Sequence, residues 1–128
     1  MTLDKQKKYP ESELTEKIIG CAFAVYRELG YGYPEKLYQK AFEIELKKQK
    51  FKFIREKYSK IAYDNNIVGR FFLDFFIDDK IAVELKVRRE IFEKDWIQLL
   101  NYLKATDCQI GLLLIFSKNG LLIKRLIN

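Results

Sequence analysis

Phe71-Phe72-Leu73-Asp74-Phe75-Phe76-Ile77-Asp78-Asp79-Lys80-Ile81-Ala82-Val83-Glu84-Leu85-Lys86 reads as two strands and a tight turn, because two apolar runs flank a short polar cluster. Within these runs Asp74, Glu84 and Lys86 are the polar exceptions. Side chains alternate along a strand, so Glu84 and Lys86 project from one face of the second strand. Asp74 shares its own strand face with Phe72 and Phe76. Partners directly opposite in an antiparallel pair point the same way. Asp74 therefore joins Glu84 if the connecting loop has an odd number of residues, such as Asp78-Asp79-Lys80. Two carboxylates and an ammonium then converge on an otherwise apolar sheet. Buried charge without partners is costly, so such a cluster implies a metal site or a structural ion pair. The plain alternative is that Glu84 and Lys86 face water from an exposed strand.

Outward from this hairpin, the 128 residues suit one domain with a real core. Hydrophobic residues at 48% and charged residues at 33% give a globular composition. No apolar run is long enough to span a membrane and the first residues lack a signal-peptide core, so a soluble, cytoplasmic protein is expected. Histidine is absent, which excludes Ser-His and Cys-His catalysis and histidine-ligated zinc. Cys21 and Cys108 lie in apolar segments without metal-ligand spacing and read as reduced core residues. A net charge of +6 gives mild attraction for polyanions.

Residues 1–11, polar and lysine-rich, read as a flexible arm, and residues 12–128 as a single domain. A helix is expected from Ser12, with Leu14, Ile18, Ala22 and Leu29 at helical spacing and Gly30 as its stop. Pro34 and Glu35 open a second helix that runs to about residue 49. Taken alone, Glu35 at that helix start is a carboxylate complementing the helix dipole. Residues 51–63 suit an exposed or edge strand, followed by a turn at Asp64-Asn65-Asn66. Arg88 and Arg89 fall in a loop before a third helix over 94–105, where Gln98 and Tyr102 share a face. Residues 110–116 are almost wholly apolar, as in a strand covered on both sides. Lys118-Asn119-Gly120 turns the chain into a last strand over 121–126. The order ααβββαββ predicts an α/β (α+β) protein, a mixed sheet flanked by helices.

Asp74 followed by Glu84-Leu85-Lys86, with Leu73 where a proline can stand, resembles the motif of the PD-(D/E)XK nuclease superfamily. Gly32-Tyr33-Pro34-Glu35-Lys36-Leu37-Tyr38 looks like the signature of the GxxExxY proteins within it. Gln98-Leu99-Leu100-Asn101-Tyr102 resembles the QxxxY motif of recombination-repair helicase-nucleases. These motifs stand in the expected order over roughly residues 12–127.

The resemblance implies a restriction-endonuclease-like fold and a nuclease that hydrolyses phosphodiester bonds with Mg2+, Mn2+ serving as a substitute. Asp74, Glu84, the main-chain carbonyl of Leu85 and Glu35 would hold the metal, and Lys86 would act on the attacking water. Gln98 and Tyr102 would stand behind the metal ligands or touch phosphate, and Arg88 and Arg89 would face the nucleic-acid backbone. Without metal the three carboxylates should repel one another and raise a pKa. The expected partner is nucleic acid, DNA before RNA, and the small domain favours a homodimer or a larger protein complex. The alternative is a catalytically silent nucleic-acid-binding or assembly subunit of a repair or defence complex.

Overall fold

The computed structural model describes residues 10–128, so the expected arm lies outside them except for Pro10 and Glu11. The elements run α1 (Ser12–Leu29), α2 (Glu35–Lys48), β1 (Phe53–Tyr63), β2 (Asn66–Ile77), β3 (Ile81–Val87), α3 (Glu93–Thr106), β4 (Ile110–Ser117) and β5 (Gly120–Ile127). Strand order in the single five-stranded sheet is β1-β2-β3-β4-β5. β3 and β4 are parallel, whereas the other neighbours are antiparallel. A parallel pair needs a crossover, and α3 supplies it.

Turn chemistry sets the register. Asp64 and Asn65 both adopt positive φ, 51° and 63°, and close a two-residue hairpin with Tyr63 opposite Asn66. Asp78 and Asp79 do the same within the three-residue connection that puts Ile77 opposite Ile81. The odd loop expected from the sequence is thus present.

Two cores sandwich the sheet. Ile18, Ala22, Val25, Tyr38, Phe42 and Leu46 from α1 and α2 cover Phe75, Ile77, Ile81, Val83, Leu85 and alternate residues of β4. Leu99, Tyr102 and Leu103 of α3 cover Leu73, Ala82, Leu113, Ile115 and Leu126 on the other face. Every residue of β4 is buried because both of its faces are covered, which is why its sequence does not alternate. Gly111 lets α3 come close: a Cβ there would stand 3.2 Å from the Leu99 and Leu103 side chains. Cys21 is a buried core residue, and Cys108 is half-buried with its thiol 3.4 Å from the Lys80 carbonyl. Both are unpaired thiols, and burial pushes each up, Cys21 to about 11 with a contribution from Glu45. No helix among the described residues is long and apolar enough to cross a membrane.

One expectation from simple alternation is corrected. Odd-numbered Phe75 and Ile77 pack under α1 and α2, yet odd-numbered Phe71 and Leu73 pack under α3. β2 therefore changes face at Asp74. Across from it Glu56 takes a left-handed φ of 49°, and the paired run from Phe53 to Arg55 resumes only at Lys57. Phe72 and Phe76 consequently do not lie on a common face: Phe76 packs in the α3 layer, while Phe72 is exposed.

Candidate active site

The β2–β3 ladder stops at Phe75 opposite Val83. At the next rung side chains replace main chain. The Asp74 N–H donates to Glu84 Oε2 at 2.8 Å, and the Leu85 N–H donates to Asp74 Oδ2 at 2.8 Å. Each carboxylate thus satisfies an amide of the opposing strand where the two strands separate, a requirement that buried backbone imposes. Asp74 Oδ1 and Glu84 Oε1 take no part in these two bonds.

Glu84 is only 6% exposed. Burial, reinforced by the neighbouring Asp74 charge, pushes its carboxyl up to about 8. Asp74 is pushed up too, first by burial and then by Glu35, while its bond from the Leu85 amide and the Lys86 charge pull the other way. Lys86, half-buried on the same strand as Glu84, favours the ionised form of both carboxylates. The expected repulsion among carboxylates is present, and Glu84 shows it most.

Glu35 reaches this cluster from the other layer. Its Oε1 accepts the Val87 N–H at 3.2 Å, so the first residue of α2 is tied to the end of β3. The residues around it explain the approach. Gly32 has a φ of 121°, open to glycine and costly for other residues. Tyr38, fully buried, donates its hydroxyl to the Gly30 carbonyl at 2.6 Å, and the Tyr38 hydroxyl oxygen accepts the Tyr33 N–H at 3.4 Å. The glycine turns the loop, the tyrosine fastens it, and the glutamate between them is aimed at β3.

Around the cluster, Tyr102 is 2% exposed, stacks on Phe71 at 4.8 Å between ring centroids and meets Ser59 through its hydroxyl. Burial raises its pKa, with a smaller contribution from the Glu84 charge. Gln98, four residues earlier on α3, is exposed. Arg89 is exposed as well. Arg88 is not a free cation: its guanidinium closes as a fork on Asp95, with Nε–Oδ2 of 3.2 Å and Nη2–Oδ1 of 3.1 Å. Asp95 is 3% exposed, so this pair fastens the start of α3 to the end of β3.

Two participants carry no sequence signal. Arg55 donates to the Asp74 carbonyl at 3.4 Å, to Glu43 at 2.6 Å and to Gln39 at 3.4 Å, and lies over the Phe75 ring at 4.5 Å. It ties the break in β2 to α2. In sequence it is one basic residue of an alternating edge strand. Asp95 reads as an ordinary acidic residue in a helix first turn, since nothing in the sequence distinguishes it from Glu93 there.

Among the described residues no group of three or more His, Cys, Asp or Glu side chains stands together at the spacing an ion needs. The donors nevertheless suit a hard divalent cation in kind. The buried Glu84 and the half-buried Asp74 beside it, each with one oxygen outside the interstrand bonds, are an anionic pair that a cation would relieve.

The family model of the PD-(D/E)XK nuclease superfamily matches residues 12–126 of the chain. The chain belongs to that superfamily. Its five-stranded mixed sheet with flanking helices is the restriction-endonuclease-like α+β fold, and PD-(D/E)XK domains generally hydrolyse phosphodiester bonds. A solved structure described as the crystal structure of SSO0001 is similar, with a TM-score of 0.57 and 20% identity over 92% of this chain. The aligned region makes up 60% of that protein's chain, and at this identity the likeness concerns the fold alone. No curated protein matches the PD-(D/E)XK chain.

Proposed function

We propose that this chain is a magnesium-dependent nuclease of the cytoplasm, with manganese able to substitute, acting on DNA in preference to RNA. The reading rests on one observation above the others: Asp74 and Glu84 meet at the rung where β2 and β3 part, beside Lys86. In this reading Asp74 and Glu84 supply carboxylate oxygens to the ion, Leu85 its main-chain carbonyl, and Glu35 a further carboxylate, directly or through water. A bound divalent cation would lower the pKa of a coordinated water and offset charge developing on the phosphate. Lys86 orients the attacking water and stabilises the anionic transition state. Tyr102 backs Glu84 from the α3 layer. Arg89 and Gln98, both exposed, are available to phosphate, while Arg88 acts through Asp95 by fixing the end of β3. The loop geometry at Gly32, Glu35 and Tyr38 supports placing the chain among GxxExxY proteins. A homodimer or larger complex would extend the grip of so small a domain, and light scattering that finds a monomer at micromolar concentration disposes of the dimer.

The test is cleavage of single-stranded DNA, duplex DNA and RNA with magnesium or manganese. Cleavage that a chelator abolishes is expected. Lys86→Met should lower turnover by about 100-fold or more while leaving the thermal midpoint and metal affinity near those of the parent. Undiminished cleavage by Lys86→Met sinks the role given to this lysine. A specific observation favours the other reading, a catalytically silent nucleic-acid-binding or assembly subunit: both carboxylates already serve as interstrand acceptors, which needs no ion. No hydrolysis with any metal, together with persistent binding, would select it.

A further inference from the structure

Beyond Asp74 and Glu56 the sheet sends out a two-stranded ribbon. β2 pairs with β3 only from Phe75 to Ile77, so, among the described residues, 57–63 and 66–73 have each other as their only strand partners. One side of this ribbon is anchored: Phe71 stacks on Tyr102, and Leu73 is buried beneath α3. The other side carries aromatic rings into solvent. Phe72 is 61% exposed and Tyr58 40% exposed, and the two rings are cross-strand partners with centroids 5.1 Å apart. A two-stranded ribbon gains little stability from such exposure, so these rings await a cover.

The charges on the same side indicate what covers them. Lys60 stands directly opposite Arg70, an arrangement that repels across a strand pair. Among the described residues neither forms an ion pair with a carboxylate. Arg70 instead donates Nε to the Tyr58 hydroxyl at 2.9 Å, which holds a guanidinium at the rim of the ring pair. The carboxylates of this hairpin are Asp64 at the turn and Glu56 and Asp74 at the break, and among the described residues none of the three forms an ion pair with Lys60 or Arg70. A second copy of the chain placed here about a two-fold axis would bring these like charges towards their own copies. A polyanion with flat apolar groups fits both features, because phosphates answer the cations and bases stack on the rings.

We propose that the outward face of the ribbon, centred on Phe72 and Tyr58 with Arg70 and Lys60, binds unpaired nucleic acid and delivers it to the site at Asp74. Bases in a duplex are stacked on one another and cannot lie on these rings, so the surface selects single-stranded or frayed substrate. Phe72 precedes Asp74 by two residues, about 7 Å of strand, so a chain held on the ring pair continues towards the carboxylates. This inference rests on the nuclease reading for its destination, but its binding step does not need catalysis.

The experiment measures fluorescence anisotropy of a labelled DNA strand of about 16 nucleotides, alone and as a duplex, with the full chain carrying Asp74→Asn to prevent cleavage. Tighter binding of the single strand is expected. Phe72→Leu, which keeps apolar area but removes the π-face, should weaken single-strand binding by roughly 5- to 100-fold at an unchanged thermal midpoint, while Phe72→Trp retains it. Lys60→Gln and Arg70→Gln should each reduce the salt dependence by about 0.7 in log–log slope. Equal affinity for single strand and duplex, or full binding by a folded Phe72→Leu protein, overturns the proposal. So does a dimer in light scattering that Phe72→Leu dissociates while oligonucleotide binding is unchanged. Cleavage assays on the chain with Asp74 intact separate the two readings. Single-strand binding through Phe72 without cleavage by any metal supports the ribbon and removes the nuclease. Cleavage of duplex with no role for Phe72 does the reverse.

Discussion

At Glu84, burial opposes the very charge that a metal site would use. Its carboxyl stands at about 8 instead of the usual 4.5, because burial and the Asp74 charge both disfavour ionisation. A raised carboxylate pKa means that the folded chain binds a proton more tightly than the unfolded chain does. That proton's contribution to stability is full below the ordinary value and is lost as pH rises through about 8. Asp74, shifted in the same direction, adds to the trend. The metal-free protein should therefore lose a few kcal/mol of stability between about pH 5 and pH 8. Glu84→Gln should flatten that fall and raise the thermal midpoint at the alkaline end, since a neutral amide needs no proton. A midpoint that stays level or climbs across this range in the metal-free parent would show that Glu84 is not the strained carboxylate. Lys86 sits beside this pair as a partial offset, its charge favouring the ionised form of both carboxylates.

Between Glu56 and Asp74 the β1–β2 hairpin changes face, and this break opens the site. Glu56 pays in backbone strain, with φ at 49° in the middle of a strand. Glu56→Gly should be tolerated to within about 1 kcal/mol, because glycine relieves the strain but adds freedom to the unfolded chain. Glu56→Val should cost roughly 1 to 3 kcal/mol and lower activity, as a β-branched residue resists that conformation and pulls the strand towards regular pairing. Equal melting temperatures for the Val and Gly variants would mean that the break has another cause. Much of the element pattern was legible beforehand. The eight elements follow from periodicity and turn residues, and Asp78-Asp79-Lys80 fixed the register that joins Asp74 to Glu84. The face change was not legible, because alternation assumes an unbroken ladder and Glu56 is not a residue that announces positive φ. Arg55 and Asp95 were hidden for a related reason: their roles come from α2 and β3 meeting them in space. At Gly32, Glu35 and Tyr38 the fold shows a turn, a tether and a lock that spacing in the sequence alone does not reveal.

Across the molecule, the site lies on the seam between two cores. Glu35 arrives from the α1–α2 layer, Tyr102 and the Arg88–Asp95 fork from the α3 layer, and Asp74, Glu84 and Lys86 from the strands between them. Both cores must form before these groups meet, so the unfolded chain has no site and any ion bound there stabilises the whole fold. Magnesium or manganese at one hundred times its dissociation constant should add about 2.7 kcal/mol, raising the thermal midpoint by roughly 10 °C. The gain should grow with pH, because the ion binds ionised carboxylates and Glu84 ionises only near 8. Metal thus reverses the acid preference of the metal-free protein, and the two melting curves against pH should converge at low pH and separate at high pH. Potassium at matched ionic strength should do neither, which distinguishes a site from screening of the +6 net charge. The double variant Asp74→Asn with Glu84→Gln should melt above the metal-free parent near pH 8 and ignore the divalent ion. A double variant that still gains the full midpoint shift with magnesium would place the ion elsewhere and remove these carboxylates from the mechanism.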